Sequence, residues 1–116
     1  MLEITKLNAK VIQEPMESVI DGEVYSTCGA TWIGAAEWDG IVFATLKSNG
    51  TRAWSADMYV NNGNFFLAGF GGKDSRFSGD KKIILMSEDE ALDFMVRCLD
   101  MTEFDAGVLM DRALGM

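Results

Sequence analysis

Four Asx-Gly dipeptides divide the first half of the chain into short segments: Asp21-Gly22, Asp39-Gly40, Asn49-Gly50 and Asn62-Gly63. Asn-Gly and Asp-Gly favour two-residue type I′ turns, because both central residues of such a turn need positive φ. Three of the four lie between runs rich in β-branched and aromatic residues, so they predict antiparallel hairpins with a defined register. The register in turn predicts which side chains share one face of the sheet.

The chain has 116 residues, 48% of them hydrophobic and 24% charged, which is typical of one globular domain over residues 1–116. It has no apolar run near the ~20 residues that a membrane helix needs, and its N-terminus lacks a signal-peptide pattern. We therefore expect a cytoplasmic protein without membrane contact. Histidine is absent, and Cys28 and Cys98 are expected to be buried reduced thiols, so neither a metal site nor a cofactor is expected.

Besides an N-terminal strand candidate within Leu2 to Ile12, strands are predicted near 23–28, 31–38, 41–47, 52–60, 64–70 and 82–86. Small residues leave a helix across Ala30 to Glu37 as a competing interpretation. Two helices follow: Ser87 with Glu90 forms a capping box for the first, and Thr102 begins the second. The order predicts an α+β fold, an antiparallel β-meander of about five to six strands packed against two C-terminal helices.

Each hairpin turn assigns cross-strand partners: Met58–Leu67 and Tyr59–Phe66 through Asn62-Gly63, Val42–Asp57 through Asn49-Gly50, and Trp38–Ile41 through Asp39-Gly40. The first face of the resulting sheet is apolar and should form a core under the helices; it carries Trp38, Ile41, Phe43, Trp54, Met58, Val60, Phe65 and Leu67. The second face is mixed and carries Ile33, Ala35, Glu37, Val42, Ala44, Leu46, Ser55, Asp57, Tyr59, Phe66, Ala68 and Phe70.

An exposed sheet face normally alternates to polar residues, but the second face holds the aromatic residues Tyr59, Phe66 and Phe70. Something must therefore cover part of it. The N-terminal strands could fold over it, the sheet could curl, or a protein could pack there. A second copy of this chain is one such protein, which leaves a homodimer through this face open.

Catalytic signals are weak. Glu37 and Asp57 fall in one row of the second face, on the two strands that flank Val42, roughly 10 Å apart. Paired carboxylates at about 5–9 Å can run glycoside hydrolysis, but any acidic sheet offers such a pair. The segment 68–75 departs from the phosphate-loop pattern, since that pattern needs a glycine at position 67 and a hydroxyl residue at 74. We expect no enzyme; the alternative is a small-ligand-binding or small enzymatic domain with a site near Glu37, Asp57 and Tyr59.

The net charge is −8, and residues 84–116 carry −6 of it, with eight acids against two arginines. Direct nucleic-acid binding is not expected, because phosphate contacts need clustered Lys and Arg. Another protein with a basic surface is the better-matched partner. Asp89, Asp93 and Asp100 fall off the apolar stripe of the first helix and should point to solvent.

The leading hypothesis is a non-catalytic acidic binding protein, of the inhibitor or immunity type, that occludes a basic surface of a partner protein. A structural subunit of a larger assembly is a further alternative. The predicted binding residues are Glu37, Asp57, Tyr59, Phe66 and Phe70 on the sheet, and Asp89, Asp93 and Asp100 on the helical part.

Overall fold

The computed structural model describes the backbone of residues 4–39, 41–42, 47–48 and 52–115, and their side chains except in 41–42 and 47–48. The strands are β1 Ile4–Leu7, β2 Glu17–Ile20, β3 Glu23–Ser26, β4 Thr31–Trp38, β5 Ile41–Val42, β6 Lys47–Ser48, β7 Trp54–Asn61, β8 Asn64–Gly71 and β9 Lys81–Met86. The helices are α1 Glu88–Arg97 and α2 Glu103–Ala113. None of the helices in these ranges has the length and apolar character that crossing a membrane would require.

The predicted α+β fold is confirmed. Five antiparallel strands form one sheet in the order β1-β4-β7-β8-β9, and β2-β3 and β5-β6 form two separate two-stranded sheets. The two C-terminal helices follow the last strand of the sheet. Residues 31–38 form strand β4, so the competing helical interpretation of this segment is wrong.

The turn at Asn62-Gly63 sets the register between β7 and β8 as the sequence predicts. Asn62 has φ of 51° and Gly63 has φ of 78°, the positive values that a type I′ turn needs. Met58 lies opposite Leu67 and Tyr59 opposite Phe66. Asp21-Gly22 has φ of 50° and 82° in the turn between β2 and β3.

The other two predicted pairings are wrong, because β4 occupies the free edge of β7. Trp38 pairs with Trp54 rather than with Ile41, and Asp57 lies opposite Ala35 rather than Val42. Strand β5 instead pairs with β6, in a separate two-stranded sheet. The long pairing of β4 with β7 satisfies many more backbone groups than β5 could. Gly40, residues 43–46 and Asn49-Gly50 lie outside the described residues.

The helices cover the first face of the sheet. Their capping signals are confirmed: Ser87 Oγ accepts from Glu90 N at 3.1 Å, and Glu90 Oε1 accepts from Ser87 N at 2.9 Å. Thr102 Oγ1 accepts from Asp105 N at 3.1 Å at the start of α2. The buried side chains of this core include Trp54, Met58, Phe65, Leu67, Phe77, Phe94, Met95, Leu99 and Met110, with Trp38 and Val60 partly buried beside them.

Ile33 joins this first core, although strict alternation predicts it on the second face. A register shift between Trp32 and Gly34 inserts one extra residue into β4, and such a bulge reverses the facing of the side chain at that point. The predicted placement of Ile33 is therefore wrong for a local reason.

The second face is covered by the chain's own N-terminal part. Tyr59 and Phe66 are only 3% and 1% exposed, and they pack with Ile12 and the ring of Tyr25. The ion pair of Lys81 on β9 with Glu14 also joins this segment to the sheet. The intramolecular explanation for the mixed face is thus correct for the part that holds Tyr59 and Phe66.

Candidate functional site

The side chain of Asp57 is enclosed by other parts of the chain and is not open to solvent. The residue is fully buried. Its Oδ1 accepts from Val11 N at 2.8 Å and from Trp32 Nε1 at 3.1 Å, and its Oδ2 accepts from Ile12 N at 2.9 Å. Both carboxylate oxygens are therefore occupied by groups of the chain itself, and a ligand cannot reach them in this conformation.

Tyr59 is buried next to Asp57. Its ring stacks on Phe66 with centroids 5.6 Å apart, and the ammonium of Lys10 lies 5.9 Å from the ring centroid. Burial, with a smaller contribution from the Asp57 charge, raises the pKa of the Tyr59 hydroxyl. Tyr59 and Phe66 are predicted binding residues, but both are buried within the chain, so they offer no surface to a partner.

Glu37 is exposed at the uncovered end of the second face. It lies opposite Ser55 on the neighbouring strand, so it is a diagonal neighbour of Asp57 and not two strands away as predicted. Phe70 lies opposite Ser55 on the other side and is 45% exposed. The structure thus brings Glu37 and Phe70 to an open cleft of about 390 Å³, and it places Asp57 and Tyr59 under the N-terminal segment.

The three predicted acids Asp89, Asp93 and Asp100 are all exposed, but they do not lie on one surface. Asp89 and Asp93 lie one turn apart on α1, and Asp93 Oδ1 pairs with Arg97 Nε at 2.8 Å. Asp100 has φ of 56° in the turn between the helices, a left-handed conformation that aspartate tolerates better than most residues. Asp100 therefore has a backbone role, and only Asp89 and Asp93 share a surface.

That surface is a groove between α1 and α2, which we call the interhelical groove. Its volume is about 530 Å³, and its lining residues are Asp89, Leu92, Asp93, Val96, Arg97, Glu103 and Gly107. Leu92 and Val96 are half-buried and supply apolar surface, whereas the acids on both helices are exposed. The groove therefore combines an apolar interior with carboxylates on both sides.

The apolar surface continues on α2. Phe104 is 78% exposed and Val108 is 37% exposed. Residues three and four positions apart share one face of a helix, so Phe104 has both Gly107 and Val108 as neighbours on the surface of α2. A large aromatic side chain this exposed is a common mark of a contact surface.

The apolar part of the site is not evident from the sequence pattern. Leu92 and Val96 fall in the apolar stripe of α1 and pack against the first core, so the stripe alone does not mark them as groove residues. Two signals were present: Phe104 falls off the apolar stripe of α2, and Gly107 lies inside a helix, where glycine is unfavourable.

Cys98 is buried as predicted, but Cys28 is exposed, and both are free thiols. Burial raises the pKa of the Cys98 thiol to about 11. Across the residues that the structure describes, no group of three or more Cys, Asp or Glu side chains could hold a metal ion.

No protein-family model, no curated protein and no solved structure matches this chain.

Proposed function

We propose that this protein is a non-catalytic binding protein that docks on a basic surface of a partner protein through the interhelical groove and the acidic helices around it. The observation that supports this most strongly is the groove itself. Half-buried Leu92 and Val96 lie between Asp89 and Asp93 on one helix and Glu103 on the other. Protein interfaces commonly combine an apolar centre with a polar rim in this way.

The negative charge of the helical part indicates what charge the partner surface should carry. All eight acids of residues 84–115 are exposed, while Arg97 and Arg112 are the basic residues there. A surface with charge of one sign raises the rate of association with a surface of opposite charge, and it disfavours partners of the same charge. A basic protein surface is therefore the expected partner, and its occlusion is the expected effect, as for an inhibitor or immunity-type protein.

The proposal also includes a cytoplasmic location, which agrees with two free thiols, since such thiols persist in reducing compartments. It does not include a homodimer through the second sheet face. Tyr59 and Phe66, which would carry such a contact, are buried within a single chain.

Affinity capture from the native host, followed by kinetics with the purified partner, tests the proposal. The Asp89→Asn, Asp93→Asn double variant should lower the association rate by about three- to tenfold at low salt, with a milder effect on dissociation. A control variant, Glu17→Gln with Asp74→Asn, removes the same charge from exposed positions that do not line the groove, and should change the rate little.

Raising salt from ~0.05 to ~0.5 M should reproduce the effect of the double variant, since the screening length falls from over 10 Å to about 4 Å. A captured partner whose binding ignores both the double variant and the salt would overturn the proposal. So would equal losses from the double variant and its control.

A further inference from the structure

We infer that the partner element in the interhelical groove is a basic amphipathic helix, and that Gly107 is the point where this helix approaches the backbone of α2 most closely. The inference rests on the proposed function and specifies which kind of element the groove accepts. Three features support it: the glycine itself, its place in the groove, and the spacing of the residues around it.

Gly107 is unexplained by the fold of the chain. It lies in the middle of α2, where glycine is the least favourable residue apart from proline. Apart from its two chain neighbours and the nearby backbone of its own helix, a Cβ added at this position would meet no atom of the described residues within 4 Å. Gly69 is the opposite case, because a Cβ there would lie 2.3 Å from the carbonyl oxygen of Ser55.

The place of Gly107 provides the missing explanation. It lines the groove one turn after Glu103. Because it has no side chain, the backbone of α2 is open at this point, and glycine is the residue that permits close approach of another chain. The empty space at Gly107 therefore faces the groove that a partner would occupy.

The spacing of the groove residues fits a helix. Asp89 and Asp93, Leu92 and Val96, and Glu103 and Gly107 are each four positions apart, which forms the i±4 ridges that pack against another helix. An amphipathic helix in such a groove buries one apolar stripe. With acids on both sides of the groove, the flanks of that stripe should carry Lys or Arg.

The Asp93–Arg97 pair does not block this binding. Both side chains are mostly exposed, at 61% and 76%, and exposed ion pairs of this kind contribute little to stability. A cation of the partner helix can therefore replace Arg97 at the Asp93 carboxylate.

A designed peptide tests the inference without knowledge of the natural partner. The probe is a 16-residue amidated peptide of alanine and lysine with two leucines four positions apart, labelled for fluorescence anisotropy. Its control is an isomer of the same composition with the leucines on opposite sides of the helix. The first peptide should bind at least about fivefold more tightly than the isomer, because only it presents an apolar stripe.

Substitutions at Gly107 give the decisive comparison. Gly107→Ala should raise the thermal midpoint by about 3–6 °C, since alanine is the better helix former. It should nevertheless weaken peptide binding by about threefold, and Gly107→Leu should weaken it by about tenfold or more, because the side chain fills the groove. A structural role alone would not move stability and binding in opposite directions.

Three results would overturn the inference. The first is equal binding of the two peptides. The second is binding of the first peptide that Gly107→Ala and Gly107→Leu leave unchanged. If in either case the Asp89→Asn, Asp93→Asn variant still reduces binding, the proposed function stands and only the helical occupant is wrong. The third is that neither peptide binds; the proposed function is then decided by the kinetics with the captured partner.

Discussion

Ile12 donates its backbone N–H to Oδ2 of Asp57 at 2.9 Å, although the two residues are 45 positions apart in sequence. The other oxygen of the same carboxylate accepts from Val11 and from the indole of Trp32. A buried carboxylate is tolerated only where such donors replace water. Asp57 therefore joins the N-terminal segment, β4 and β7 at one point, and this attachment covers the second face of the sheet.

Replacement of Asp57 by asparagine should destabilise the fold. The amide keeps one acceptor oxygen but places an NH₂ group against backbone donors, so at least one buried N–H loses its partner. We expect Asp57→Asn to lower the free energy of unfolding by about 2–4 kcal/mol. Urea denaturation measures this change.

Glu37→Gln is the matched control, because Glu37 is an exposed acid diagonal to Asp57 on the neighbouring strand. Its effect on unfolding should stay within about 0.5 kcal/mol. If Asp57→Asn were as stable as the wild type, the carboxylate would not hold the N-terminal segment in place.

The turn at Asn62-Gly63 shows what the sequence can predict. Both dihedral requirements of the turn are local, and two residues between strands leave no freedom of register, so Met58 opposite Leu67 follows directly. The caps at Ser87 and Thr102 are predictable for the same reason, since each depends on a hydrogen bond three residues away.

The pairing of β4 with β7 shows why the rest was not predictable. Asp39-Gly40 favours a pairing between neighbouring segments, but the observed pairing joins Trp38 to Trp54, which are 16 positions apart in sequence. Such contacts depend on competition between distant segments, which no local pattern encodes. The interhelical groove is also not predictable from local patterns. The partial burial of Leu92 and Val96 depends on where α2 lies relative to α1.

Truncation of the Trp54 side chain should strongly destabilise the fold, because this residue lies in the first core. Its ring packs against Phe94 with centroids 6.1 Å apart, and the guanidinium of Arg76 lies 5.3 Å from its centroid. Trp54→Ala should lower the free energy of unfolding by about 3–5 kcal/mol. Phe70→Ala, at a 45% exposed residue of the opposite face, should cost about 1 kcal/mol or less. Similar losses from the two variants would contradict this account of the core.

Gly69 should not tolerate a side chain. A Cβ there would lie 2.3 Å from Ser55 O and 2.7 Å from Ala56 Cα, and both are backbone atoms of the paired strand β7. Relief of the clash requires β7 and β8 to separate, so Gly69→Ala should lower the free energy of unfolding by about 2 kcal/mol or more. Thermal melting of this variant beside Gly107→Ala gives the comparison, since the same substitution should stabilise one site and destabilise the other. Equal shifts at both sites would contradict the observed packing.

The two thiols should differ sharply in reactivity. Cys28 is exposed, whereas Cys98 is buried and its pKa is raised to about 11. The thiolate is the reactive form, so Cys98 should resist a disulfide reagent at pH 8 while Cys28 reacts within minutes. Mass spectrometry after brief labelling should find one modified cysteine in the native protein and two after denaturation. Rapid labelling of Cys98 in the native state would show that the end of α1 opens.

The raised pKa of Cys98 also predicts a pH dependence of stability. The unfolded thiol has an ordinary pKa near 9, whereas the folded one titrates at about 11, because burial disfavours the thiolate. Between these values the unfolded state loses the proton first, so stability should fall as pH rises from about 9 to about 11. Urea denaturation across this range, compared with a Cys98→Ala variant, isolates the contribution. The variant is less stable at pH 7 because it leaves a small cavity, yet its decline at high pH should be shallower. Parallel declines would show that Cys98 titrates in the same range in both states.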